Sequence, residues 1–134
     1  MPGFELIEPD DAVYAALSGR FAGYNAQRSS YDFRSFSLIQ RAGDRIIAGG
    51  RGIINMGALE VRGLWVDDSL RGQGVGLALM QAIEDEARKR GATRAMLYTY
   101  SFQAQGFYEK LGYREFARFT YPDGPARIDL QKEL

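Results

Sequence analysis

Leu64-Trp65-Val66-Asp67-Asp68-Ser69-Leu70-Arg71-Gly72-Gln73-Gly74-Val75-Gly76 sets an apolar strand end against three glycines and the start of a long amphipathic helix. Glycine lets a backbone turn tightly and approach a ligand closely. A helix start adds unpaired N–H groups and the positive end of the helix dipole. The stretch therefore reads as a cradle for a phosphate-like anion at a strand-to-helix junction. Two common nucleotide motifs are excluded, since a P-loop ends in Gly-Lys-Ser/Thr and a dinucleotide fingerprint needs glycine at Leu77.

Downstream of the glycines, Leu79, Met80, Ile83 and Ala87 recur with the helical period from Gly74 to Arg90. Opposite them Glu84/Arg88, Asp85/Lys89 and Glu86/Arg90 pair at i,i+4 as a solvated face, and Gly91 is a natural helix end. Arg94 to Tyr100 reads as a strand and Phe102 to Leu111 as a helix stopped by Gly112. Tyr113 to Thr120 and Ala126 to Leu130 read as strands around Pro122-Asp123-Gly124-Pro125.

Upstream, Ala58 to Val66 is a strand entered through the turn Asn55-Met56-Gly57. Phe36 to Gln40 and Arg45 to Ala48 form a hairpin across Gly43-Asp44. One or two helices fill residues 10 to 28 behind a capping Asp10, and Phe4-Glu5-Leu6-Ile7 reads as a short first strand. The long helix makes the strands on either side of it parallel, with a ligand crevice at their carboxyl ends. The expected fold is α/β in the α+β sense: a mixed, mostly antiparallel sheet of about six to seven strands flanked by helices, in one domain over residues 1–134.

Composition narrows the chemistry. The chain has 134 residues, balanced charge (17 Lys+Arg against 17 Asp+Glu), and neither Cys nor His. Disulfides, thiolate or imidazole metal sites and Ser-His-Asp triads are thus excluded. Acid–base work must fall to Glu, Asp, Tyr or Lys, and no thiol exists to carry a transferred acyl group. Zero net charge predicts no nucleic-acid partner, and the lack of a long apolar run or leader-like start predicts no membrane partner and a cytoplasmic setting.

Leu64-Trp65-Val66, then Arg71 to Gly76, then Phe107-Tyr108-Glu109-Lys110-Leu111-Gly112-Tyr113 resemble the GNAT superfamily of acetyl-CoA-dependent N-acetyltransferases. The segment from Tyr98 to Tyr108 and the turn Tyr121 to Pro125 are similar to compact bacterial members. The resemblance covers nearly the whole chain and implies the GNAT fold, acetyl-CoA as cosubstrate with no metal, and a small-molecule or peptide amine as acceptor. A homodimer is compatible with it. The implied cofactor-binding residues are Arg71, Gly72, Gln73, Gly74, Val75 and Gly76 for the pyrophosphate, and Leu64, Trp65 and Val66 for the pantetheine arm, held like an added strand.

By the same resemblance Tyr108 assists departure of the CoA thiolate. That is chemically sensible, because a thiol near 8.5 and a tyrosine near 10 are close enough for a positioned donor to help. Ser101, which with Tyr108 is also an implied cofactor-binding residue, stands where the family often has asparagine, at the start of the helix carrying Tyr108, and can cap it. Glu60 lies eleven residues before Arg71, a spacing similar to that of the glutamate base in histone-type members. Strand alternation places it on one face with Arg62, Leu64 and Val66. A water chain is the alternative base, and a non-catalytic CoA- or acyl-CoA-binding module is the alternative function.

Overall fold

The computed structural model describes residues 3–134, in two compact units that divide between Asp32 and Phe33. The first unit carries helix α1 (Asp11–Arg28). Asp10 caps it, its carboxylate accepting from Ala12 N at 2.9 Å and Val13 N at 3.0 Å. The expected strand at Phe4–Ile7 is not formed: the segment has no regular structure, and Phe4 and Leu6 are fully exposed. A four-residue extended run gains nothing without a neighbouring strand to bond.

The second unit contains β1 (Arg34–Ala42), β2 (Arg45–Asn55), β3 (Ala58–Val66), α2 (Val75–Lys89), β4 (Arg94–Tyr100), α3 (Gln105–Lys110), β5 (Arg114–Thr120) and β6 (Ala126–Glu133). They build one six-stranded sheet in the order β1-β2-β3-β4-β6-β5, antiparallel except where β3 meets β4. The two predicted hairpins are present. Gly43 supports the first with φ +61°, and Met56 and Gly57 the second with φ +50° and +81°, the paired positive values that two-residue hairpins favour.

α2 packs on one sheet face through Met80, Ile83 and Ala87, against Ile54, Leu59, Val61, Leu97, Ile128 and Leu130. Its C-terminus closes as read: Gly91 has φ +90° and Ala92 N donates to Ala87 O at 3.0 Å. One residue departs from the expected solvated stripe. Glu84 is 4% exposed, accepting from the Tyr113 hydroxyl at 2.7 Å and from Lys132 Nζ at 2.9 and 3.1 Å. Arg88, its expected partner, is 3.9 Å away and pairs more closely with Asp85. Burial and the Glu84 carboxylate together push the Tyr113 hydroxyl far above its ordinary range.

Candidate active site

β3 and β4 pair only over Ala58–Val61 and Arg94–Leu97. Beyond that point β3 continues along β2 to Val66 and β4 along β6 to Tyr100, so the two strands diverge. The gap is a cleft of about 520 Å³ at the carboxyl ends of the parallel pair, lined among others by Arg62, Leu64, Arg71, Tyr98 and Tyr108. Among the described residues β3 has no strand partner on this side after Val61.

The β3 backbone carries a bulge here. Gly50 pairs with Leu64 while Arg51 pairs with Arg62, which leaves Gly63 as an extra residue with φ +72°. An added residue resets side-chain alternation. Leu59, Val61, Leu64 and Val66 consequently face α2, whereas Glu60, Arg62 and Trp65 lie on the opposite face. The expected common face for Glu60, Arg62, Leu64 and Val66 is therefore wrong, because an inserted residue breaks the period of two.

Between β3 and α2 the chain makes a 3-10 turn, Asp68–Leu70, capped by Asp67. The Ser69 hydroxyl and N–H both donate to Asp67, and with Arg45 and Arg71 nearby they hold its carboxyl below the usual range. Gln73 Nε2 donates to Ser69 O at 3.1 Å, and Arg71 Nε lies 3.0 Å from Asp68 Oδ1. Gly72 and Gly74 then take φ +76° and +75°, values that suit glycine.

The first intrahelical bond of α2 runs from Ala78 N to Gly74 O, and no side chain caps the helix start. The N–H groups of Val75, Gly76 and Leu77 thus have no partner within the helix. Gly76 lies so close to α3 that a side-chain carbon there would sit 3.4 Å from the Phe107 ring. An uncapped helix start, glycine-rich backbone and a neighbouring arginine fit a diphosphate.

Tyr108 lines the same cleft, its ring packed edge-on to Phe107 and Tyr113 at centroid distances of 5.1 and 6.2 Å. Burial raises its hydroxyl above the ordinary tyrosine value, so the donor form is favoured.

Ser101 does something other than cap the Tyr108 helix. Its N–H donates to Ala126 O at 2.8 Å and its hydroxyl accepts from Ala126 N at 2.9 Å, fastening the end of β4 to β6. The helix begins later than expected, at Gln105, because residues 101–104 form a turn. Gln103 Oε1 accepts from Tyr100 N at 2.9 Å, and Thr99 Oγ1 accepts from Ala104 N at 3.4 Å. Gln103 and Arg62 line the cleft although the sequence reading gave neither a role there. An amide side chain just beyond a strand end was the available signal for Gln103.

Glu60 is not brought to Tyr108. It pairs with Arg62 Nε at 3.1 Å and lines a separate hollow with Ile53 and Met96. Trp65, more than half exposed, is on that same face. Among the described residues there is no acidic cluster able to hold a metal ion, and no helix long and apolar enough to cross a membrane.

The chain is 41% identical over 91 residues to the blasticidin-S acetyltransferase of Streptomyces morookaense, covering 66% of this chain and 67% of that protein. It superposes over its whole length, and the whole of the other chain, on a crystal structure from Agrobacterium tumefaciens provisionally named an acetyltransferase, with a TM-score of 0.91 and 27% identity. An aminoglycoside 6'-N-acetyltransferase crystallised with coenzyme A shares the fold, with a TM-score of 0.64 at 20% identity over 74% of this chain and 72% of that one. The family model for the acetyltransferase (GNAT) family matches residues 6–113, most of the chain and all of the strand–loop–helix junction, so the chain belongs to the GNAT family of acetyltransferases.

Proposed function

We propose that residues 1–134 act as one N-acetyltransferase domain that moves an acetyl group from acetyl-CoA to a primary amine by direct attack in a ternary complex. The observation that carries this reading is a cleft lined by Arg71 of the glycine loop and by Tyr108 of α3, beside a β3 segment with no partner strand among the described residues. Arg71 and the backbone of Gly72 to Gly76 would hold the pyrophosphate, and Leu64, Trp65 and Val66 the pantetheine arm along the free strand edge. Acetyl-CoA supplies an activated thioester.

The chain's own groups do the rest. A main-chain N–H near Val66 stabilises negative charge building on the thioester carbonyl oxygen. Tyr108 donates its proton to the departing sulfur. Ser101, bonded to Ala126, contributes by fixing the β4 end from which the cleft wall turns into α3. Proton removal from the amine falls to Glu60 acting through water, which requires Arg62 to release it, or to a water chain alone. The similarity to a blasticidin-S acetyltransferase favours a small-molecule acceptor over a peptide.

The test is a thermal-shift titration with acetyl-CoA followed by a screen of amines for release of free thiol. Saturable stabilisation with amine-dependent thiol release is expected. Stabilisation with no thiol release from any amine would make the chain a CoA-binding module instead.

A further inference from the structure

The cleft is lined from both faces of the sheet, and its two mouths differ in chemistry. On the α2 side stand Leu64, Arg71 and Tyr108. β4 alternates between buried Ala95, Leu97 and Thr99 and the outward Met96 and Tyr98, so the other mouth carries Tyr98, Tyr100 and Phe102 with Arg62.

Those rings form a preassembled wall. Tyr100 and Phe102 are stacked, with centroids 5.5 Å apart and planes 4° from parallel, and Tyr98 meets Tyr100 edge-on at 5.8 Å. Tyr121 packs against Tyr100, with ring centroids 6.0 Å apart. The Arg127 guanidinium lies 3.9 Å over the Tyr98 ring and is bonded to Asp129 at 3.0 Å. Phe102 nevertheless leaves 70% of its surface open among the described residues.

Charge points the same way. Within Phe33–Leu134 the charged residues lining the cleft are Arg62 and Arg71, and no carboxylate lines it. An alkylamine is almost wholly ammonium at neutral pH, and no carboxylate lines this cleft to receive it. An amine conjugated to an aromatic ring enters uncharged, and its flat ring matches a stacking wall.

Resting on the N-acetyltransferase reading, we propose that this mouth is the acceptor site and that it takes an arylamine or amino-heterocycle, stacked on Phe102 and Tyr100 with its nitrogen in the cleft. The nitrogen lone pair forms the new N–C bond as the C–S bond breaks. The C–S pair leaves on sulfur, which takes the Tyr108 proton, and the proton shed by nitrogen returns to Tyr108 through water. The products are the N-acetyl arylamine and free CoA thiol.

The experiment uses the full chain at pH 7.5 with acetyl-CoA and two probes of similar size, p-anisidine and cyclohexylamine. Thiol release and acetylated product give kcat/KM, and saturation-transfer NMR with CoA present gives binding. The expected result is at least about tenfold preference for p-anisidine. Phe102→Ala should widen KM for p-anisidine about tenfold more than for cyclohexylamine, the size of one aromatic contact, and Phe102→Tyr should restore it. Equal or better use of cyclohexylamine, an equal effect of Phe102→Ala on both probes, or binding of neither would overturn the proposal. Failure of the underlying reading looks different: acetyl-CoA would not stabilise the wild-type chain at all.

Discussion

The proposed anion cradle and the aromatic wall of the cleft are built by different means. The cradle is made of backbone: glycines at positive φ, an uncapped helix start and a short turn held by Asp67 and Ser69, all within about ten consecutive residues. The wall is made of side chains, and which of them face the cleft depends on the bulge at Gly63 and on the pairing of β4 with β6. A backbone-borne site follows from residue type. A side-chain-borne site follows from register, and a single added residue moves every later side chain to the other face.

The largest expected effect falls on the backbone side. Gly74→Val puts a β-branched residue at φ +75°, where only glycine is at ease, and obstructs the approach to the helix start. Acetyl-CoA at a hundredfold excess over Kd should stabilise the wild type by about 2.7 kcal/mol, a melting shift on the order of 10 °C for a chain of this length. The variant should show none of it, and an unchanged shift would remove the cradle from the account.

Tyr108→Phe comes next, with kcat about 10²-fold lower and little change in acetyl-CoA affinity, because the hydroxyl is needed as charge develops on sulfur. Burial raises the Tyr108 hydroxyl, so its proton stays in place through neutral and mildly alkaline pH. The wild-type rate should therefore not fall between pH 7 and 9 on account of this group, and any loss due to its ionisation belongs above pH 10. A Phe variant with full kcat, measured where chemistry limits the rate, would make Tyr108 a packing residue.

Gly63→Ala tests the register argument. The new side-chain carbon has open space, so strain at φ +72° is the whole effect, about 1–2 kcal/mol of stability. Urea unfolding should show that loss while the acetyl-CoA shift survives, separating the cradle from the wall. A variant as stable as wild type would mean that β3 does not need the bulge. Smallest is Glu60→Gln, expected to slow an alkylamine acceptor several-fold near pH 7 and less as the amine deprotonates in alkaline solution. A defect independent of pH would leave Glu60 as the partner that positions Arg62.

Much of this was legible in the sequence. α2, its glycine loop, both hairpins and the parallel crossing from β3 to β4 follow from period, turn residues and connection length. Sequence and structure part where distant residues decide the outcome. Glu84 looked solvated by its i,i+4 spacing, but Tyr113 and Lys132 arrive from far along the chain to bury and neutralise it. Ser101 looked like a cap because a helix was expected at Phe102. The Gln103 and Thr99 side chains instead take up the backbone N–H groups around the turn, and Ser101 bonds a strand twenty-five residues away. A common face for Glu60, Arg62, Leu64 and Val66 presumes an alternation that Gly63 interrupts.

In the proposed function one catalytic cleft binds acetyl-CoA and passes its acetyl group directly to an amine. Calorimetric titration of the full chain with acetyl-CoA, followed by addition of p-anisidine with thiol and N-acetyl product measured together, tests this most directly. The predicted result is saturable one-to-one binding, then thiol and acetylated amine formed in equal amounts. Absence of binding, or thiol release with no matching acetylated amine, would contradict it.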